Sequence, residues 1–197
     1  MWSEMFLPDY HLFVLSSPSG GGKTTIIKRI LALRPQIKYS ISATTRPRSE
    51  TERDGTAYFF LTPSRFQEMI EKGELIEYEE VHNNYYGTPK SFVEQAITEN
   101  RPLIFDLDVK GGLHLKKIFP RAVLIFIMPP SLEELKERLK NRHRESPEAI
   151  KFRLQRVDSE IKAGAKYDHI VINDNLEEAV QEVLEIIDRE MSLVISQ

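Results

Sequence analysis

The run Leu12-Phe13-Val14-Leu15, followed by Ser17-Pro18-Ser19-Gly20-Gly21-Gly22-Lys23-Thr24-Thr25, is the stretch on which the fold of this 197-residue chain turns. The apolar run is rich in branched and aromatic side chains and too short for a helix, which reads as a strand buried on both faces. Ile26, Ile27, Ile30 and Leu31 then recur on one helical face that stops before Pro35. Strand, glycine-rich turn and helix in this order form the context of a P-loop. The glycines let backbone N–H groups turn inward, the helix N-terminus adds partial positive charge, Lys23 bridges terminal phosphates, and the Thr24 hydroxyl ligates Mg2+. Ser17 stands where the usual first glycine would be. A flexible turn with a chance lysine explains less of this than a loop for ATP or GTP.

Outward from this loop, Leu103–Leu107, Val123–Met128 and Ile170–Ile172 are further short runs expected as buried parallel strands. Ala179, Val180, Val183, Leu184 and Ile187 make a second helical face. The alternation predicts an α/β fold: a P-loop NTPase-type doubly wound parallel sheet, its ligand crevice at the C-terminal ends of the strands. Two stretches break the alternation. Residues 38–92 are polar and tyrosine-rich, with turn signals at Asp54-Gly55, Lys72-Gly73 and Tyr86-Gly87, and read as an inserted lobe. Residues 132–158 read as helix, basic turn, helix, the pattern of a lid. The core is then expected in three parts, 1–37, 93–131 and 159–197, within one domain.

Composition narrows the function. With 41% hydrophobic and 29% charged residues the chain is not a disordered tail or a coiled coil. A formal charge of −3 gives no general field for nucleic acid, so any charge-based function is local. The absence of cysteine removes disulfides, thiolate zinc sites and a cysteine nucleophile, and the scattered histidines form no ligand pair. Met1–Tyr10 lacks the charged and apolar blocks of a signal peptide, and the longest apolar run, Ala122–Met128, is far below a membrane span. A soluble, cytoplasmic protein with small-molecule substrates, and with neither membrane nor nucleic acid as partner, is expected. Monomer and homodimer both remain open.

A P-loop alone does not choose among motors, GTPases, helicases and small-molecule kinases, but no Asn-Lys-x-Asp guanine motif of the regulatory GTPases is present. Ser42-Ala43-Thr44-Thr45-Arg46-Pro47-Arg48, followed by Glu52, Gly55 and Tyr58, offers arginine forks for phosphate oxygens. Glu77 to Thr88 mixes carboxylates, phenols and a hydroxyl, a set able to read a base edge.

With these motifs, with Asp106-Leu107-Asp108, with the basic stretch Arg142 to Arg153 and with Val171-Ile172-Asn173-Asp174, the chain resembles the guanylate kinases, which phosphorylate GMP using ATP. The resemblance runs from about Phe13 to Asp174. It implies GMP phosphate contacts at Arg46, Tyr58 and Tyr86, guanine contacts at Ser42, Glu77, Thr88 and Asp108, and an ATP-side contact at Asn173, besides the loop Ser17 to Thr25. It also implies lid cations at Arg142 and Arg153, and Asp106 near the water shell of Mg2+. Guanine offers an O6 acceptor and N1 and N2 donors, so Glu77 would accept from the donors while Ser42 or Thr88 donates to O6. Adenine reverses that edge, a mismatch worth on the order of 10⁴-fold in kcat/KM.

In one place the chain departs from the family pattern. The second phosphate arginine would fall on Ser49, and the arginine here is Arg48, expected to reach the phosphate through a one-residue shift. Transfer needs charge neutralisation, since at 4 Å each unit-charge pair repels by about 4 kcal/mol at an effective dielectric near 20. Lys23, Mg2+, Arg46 and Arg48, joined by Arg142 and Arg153, would supply it. No general base is required, because a phosphate monoester is already largely dianionic at neutral pH. Competing readings are a kinase for AMP, UMP or dTMP, and a non-catalytic guanylate-kinase-like scaffold module. The first conflicts with the Glu77 to Thr88 segment and the second with the intact Gly22-Lys23-Thr24.

Overall fold

Side chains alternate along strand β1 (Leu12–Ser16), and that alternation sets the layers. Leu12 and Val14 pack with Leu103, Phe105, Leu124 and Phe126 on one face, and Phe13 and Leu15 pack with Ile104, Ile125, Ile127 and Val171 on the other. The computed structural model describes residues 10–18, 20–81, 83–140 and 157–194. Its larger sheet is all parallel and joins β2 (Lys38–Tyr39), β7 (Leu103–Asp106), β1, β8 (Val123–Met128) and β9 (His169–Ile172) in that order. Helices α1 (Lys23–Leu33) and α7 (Leu176–Val194) cover the face of Phe13. Helices α3 (Lys90–Thr98) and α4 (Val109–Ile118) cover the face of Val14. This is the doubly wound arrangement, and β1 and β7 open their C-terminal ends side by side at its switch point.

The second sheet belongs to the lobe. It orders β4 (Phe59–Phe60), β3 (Ala43–Thr44), β6 (Asn84–Pro89) and β5 (Leu75–Val81), with β6 antiparallel to both neighbours. Helix α2 (Pro63–Glu71) is capped by Thr62, whose hydroxyl accepts from the Arg65 N–H, and Phe66 on its buried face stacks on Tyr85 at 5.5 Å. Asn83, at φ 59°, takes the left-handed conformation in the turn between β5 and β6, one of the few residue types suited to it. Helix α5 (Leu132–Lys140) and α6 (157–164) meet through Leu135, Val157 and Ile161.

Two expectations need correction. Lys38 and Tyr39, assigned by sequence to the lobe, pair with β7 in the core sheet, so the lobe's own sheet starts at Ala43. A two-residue strand carries no periodicity by which to recognise it. Ile170 and Ile172 are not buried: they are 46% and 57% exposed, because β9 is an edge strand and α7 covers only the face of Val171. Among the described residues no helix is long and apolar enough to cross a membrane.

Candidate active site

The phosphate loop takes its shape from backbone constraints that explain its sequence. Gly20 and Gly22 both lie at φ 92°, in the left-handed region that glycine enters without a Cβ clash. Ser17 does not have positive φ, so the serine in place of the usual first glycine is tolerated. The Gly21 N–H donates to Pro18 O at 2.9 Å, and Gly22 starts α1 with no side-chain cap and no acidic residue in the first turn. That end of the helix is left for an anion. Asn173 lies just beyond β9, 6% exposed, and its Nδ2 donates to Gly21 O at 2.9 Å. A Cβ on Gly22 would overlap that amide. The amide of Asn173, the residue expected on the ATP side, thus acts as a strut under the loop.

Behind the loop, Lys23 Nζ reaches Asp106 Oδ1 at 2.6 Å and donates to Leu107 O at 2.6 Å. Pairing of β1 with β7 in parallel register brings Leu15 opposite Asp106, so the end of β7 lies beside the loop that follows β1 and Asp106 meets Lys23 at the start of α1. Thr24 is exposed at the mouth of the loop. Among the described residues no group of three or more histidine, aspartate or glutamate side chains forms a metal cage. One hydroxyl and one carboxylate suit Mg2+ held mainly through nucleotide phosphates and water, the usual habit of that ion, so the donor set fits it.

Glu77, Thr88 and Asp108, three of the residues expected on the base side, converge on the first turn of α4. Strand β5 takes three steps from Leu75 to Tyr78 while β6 takes two from Pro89 to Gly87, and this irregularity re-aims Glu77. Glu77 is half-buried, and Thr88, fully buried, donates its hydroxyl to Glu77 Oε1 at 2.6 Å. A Cβ built on Gly111 would lie 3.2 Å from Asp108 Oδ1 and 3.4 Å from Glu77 Oε2, which places the two carboxylates together. Desolvation pushes the Glu77 carboxyl above its ordinary range and Asp108 adds to this, against the opposing pull of Thr88. Asp108 also caps α4, accepting from the Gly111 N–H at 2.7 Å. Ser42 is half-buried before β3, with its carbonyl held by Phe59 N–H at 2.9 Å.

Arg46, Tyr58 and Tyr86, expected on the phosphate side, form a second cluster. Arg46 is forked onto Glu52, with Nη2 at 2.6 Å from Oε1 and Nη1 at 3.1 Å from Oε2. Its guanidinium lies 5.4 Å from the Tyr58 ring centre and 5.6 Å from that of Phe60. Tyr86 meets Tyr58 edge-on at 5.8 Å. Burial, followed by the charge of Asp106, pushes the Tyr58 phenol up to about 12, so it stays a donor. Asp106 raises Tyr39 in the same way after burial, and this marks Tyr39 as a neighbour of the site that no motif had signalled. Ser49 donates Oγ and N–H to Glu52 Oε2 at 2.7 and 3.0 Å. Arg48 and Arg53 are exposed, and Arg48 makes no hydrogen bond or ion pair with the described residues. Ser19, Arg142 and Arg153 lie outside the described residues.

Comparison with known proteins follows the same lines. The family described as guanylate kinase matches residues 9–190. The guanylate kinase of Salinibacter ruber is 45% identical over 180 residues, 90% of this chain and 95% of that protein. The guanylate kinase of Myxococcus xanthus is 44% identical over 188 residues, 95% and 90% of the two chains. The crystal structure of guanylate kinase from Anaplasma phagocytophilum superimposes with a TM-score of 0.75 at 29% identity, covering 92% of this chain and 86% of that one. A match across nearly the whole length, on a doubly wound core with a glycine-rich loop ahead of α1 and a second sheet beside it, places this chain in the guanylate kinase family.

Proposed function

We propose that this guanylate kinase moves the γ-phosphoryl group of ATP to GMP by a division of labour between its two sheets. The core holds the donor: backbone N–H groups of the loop from Ser17 to Thr25 surround the phosphates, Asn173 holds that loop in shape, and Lys23 exchanges Asp106 for the terminal phosphates. Mg2+, held by the phosphates, Thr24 and water ordered by Asp106, would neutralise charge between the two nucleotides. The lobe holds the acceptor. Arg46, Tyr58 and Tyr86 take the GMP phosphate, and Arg48, unencumbered, swings to join them. The lid cations Arg142 and Arg153 complete the charge compensation.

The observation that carries the choice of guanine is the pair Glu77 and Thr88. With Thr88 donating to Glu77 at 2.6 Å, its proton is not available for O6, so Thr88 faces the base as an acceptor and Ser42 becomes the O6 donor. The carboxylates of Glu77 and Asp108 then accept from N1 and N2. Coupled ADP release measured with GMP, AMP, UMP and dTMP tests this reading. GMP alone should support turnover at micromolar to millimolar KM. Comparable rates with AMP would contradict it.

A further inference from the structure

We propose that Tyr167 is a positioning residue for phosphoryl transfer: its buried hydroxyl acts through Ser16 to fix the carbonyls of Leu107 and Asp108, and so the placement of Asp106 and Asp108. The proposal rests on the roles given above to those two aspartates. Ser16 closes β1 and is fully buried; Tyr167 lies between α6 and β9 and is 7% exposed. Their hydroxyls meet at 2.7 Å. Ser16 Oγ also reaches Leu107 O at 2.9 Å and Asp108 O at 3.2 Å, and Tyr167 OH reaches Val109 O at 3.3 Å.

Proton bookkeeping gives the network a direction. Three successive carbonyls can only accept, and the two hydroxyls hold one proton each. Ser16 donates to Leu107 O, with Asp108 O as the longer branch. The 2.7 Å contact must then be donated by Tyr167, with Val109 O as the longer branch of that one proton. Leu107 O takes a second donor, Lys23 Nζ, at 2.6 Å, so one carbonyl joins the hydroxyl chain to the phosphate lysine. On either side of Leu107 stand Asp106, paired with that lysine, and Asp108, the cap of α4.

The surroundings are shaped for the hydroxyl itself. A Cβ on Gly112 would overlap the Tyr167 phenol oxygen, so this helix keeps a glycine where the oxygen enters. The ring is held separately, edge-on to Phe126 at 5.7 Å. Burying a hydroxyl is unfavourable unless it is hydrogen-bonded, and a phenylalanine would fill the same space. The hydroxyl can therefore be removed while the packing stays.

The test is steady-state kinetics and thermal melting of the full chain with Tyr167→Phe, Ser16→Ala and both. Tyr167→Phe should lower kcat about tenfold, the effect of one hydrogen bond, leave KM for ATP within about twofold, and raise the Mg2+ concentration for half-maximal rate. The double variant should lose no more than the larger single loss, since both act through one chain. A Tyr167→Phe enzyme with parental kcat and Mg2+ dependence but a lower Tm would make the hydroxyl a mere latch and overturn the proposal. So would losses that multiply. Asp106→Asn separates the two levels. If it keeps full rate, the role given to Asp106 fails first; if it is inactive beside an unimpaired Tyr167→Phe, only the present proposal fails.

Discussion

Glu77 is held where its charge is disfavoured, a cost that the proposed contact with the base would offset. Desolvation and the neighbouring Asp108 raise its carboxyl pKa, so the ionised form destabilises the free protein until a donor arrives from the base. The sign follows: as pH falls through the raised folded pKa the free protein gains stability and the base loses its acceptor. Glu77→Gln should raise Tm at neutral pH while raising KM for GMP by roughly 10–100-fold, the worth of a hydrogen bond to a charged group. Melting curves and GMP titrations on one preparation would show both. Glu52 behaves in the opposite sense. Arg46, with Ser49, holds its carboxyl down at about 2 against an ordinary 4.5, so its contribution is full above about 4.5 and is lost as pH falls toward about 2. The Tm difference between the parent and Glu52→Gln should shrink across that window. Arg48→Ala should raise KM for GMP several-fold; unchanged KM and kcat would leave Arg48 facing solvent. None of the Glu52 geometry could be read from spacing, since residues six apart in an irregular loop follow no fixed rule of contact. Tyr39 and Tyr167 were equally silent, being aromatic residues whose hydroxyls find their partners only through the tertiary fold.

At the scale of elements, the phosphate loop and the helix after it were legible because glycine, lysine and threonine positions there follow from backbone geometry. The structure adds that Gly20 and Gly22 carry the left-handed turns while Ser17 does not. Gly22→Ala should therefore destabilise the protein by about 1–2 kcal/mol from its φ alone, with a further loss from overlap with the Asn173 amide. Denaturant melts of Gly22→Ala and of Gly22→Ala with Asn173→Ala would show the second term relieved in the double variant. Strand β8 was legible to the residue, since a six-residue apolar run buried on both faces has no other reading. The edge strand β9 was misjudged because its sequence, alternating His169, Ile170, Val171 and Ile172, is as apolar as a central strand. Only the tertiary fold shows that Ile170 and Ile172 stay exposed. The irregularity in β5 that aims Glu77 left no mark in the composition of the segment.

For the whole molecule, the division into two sheets was visible as a change from apolar alternation to polar, tyrosine-rich sequence. The joint was not, because β2 is too short to show its allegiance to the core. The arrangement brings Lys23 to Asp106 and Arg46 to Tyr58, with the charge of Asp106 acting on Tyr58, and the central claim is that this site joins ATP to GMP. GDP formation from GMP with ATP and Mg2+, compared between the parent and Lys23→Ala at matched folded concentration, tests it most directly. The parent should produce GDP and ADP in equal amounts, and Lys23→Ala should lose at least about 10²–10³-fold in kcat. A folded parent that makes no GDP, or a Lys23→Ala variant that makes it at the parental rate, would contradict the account.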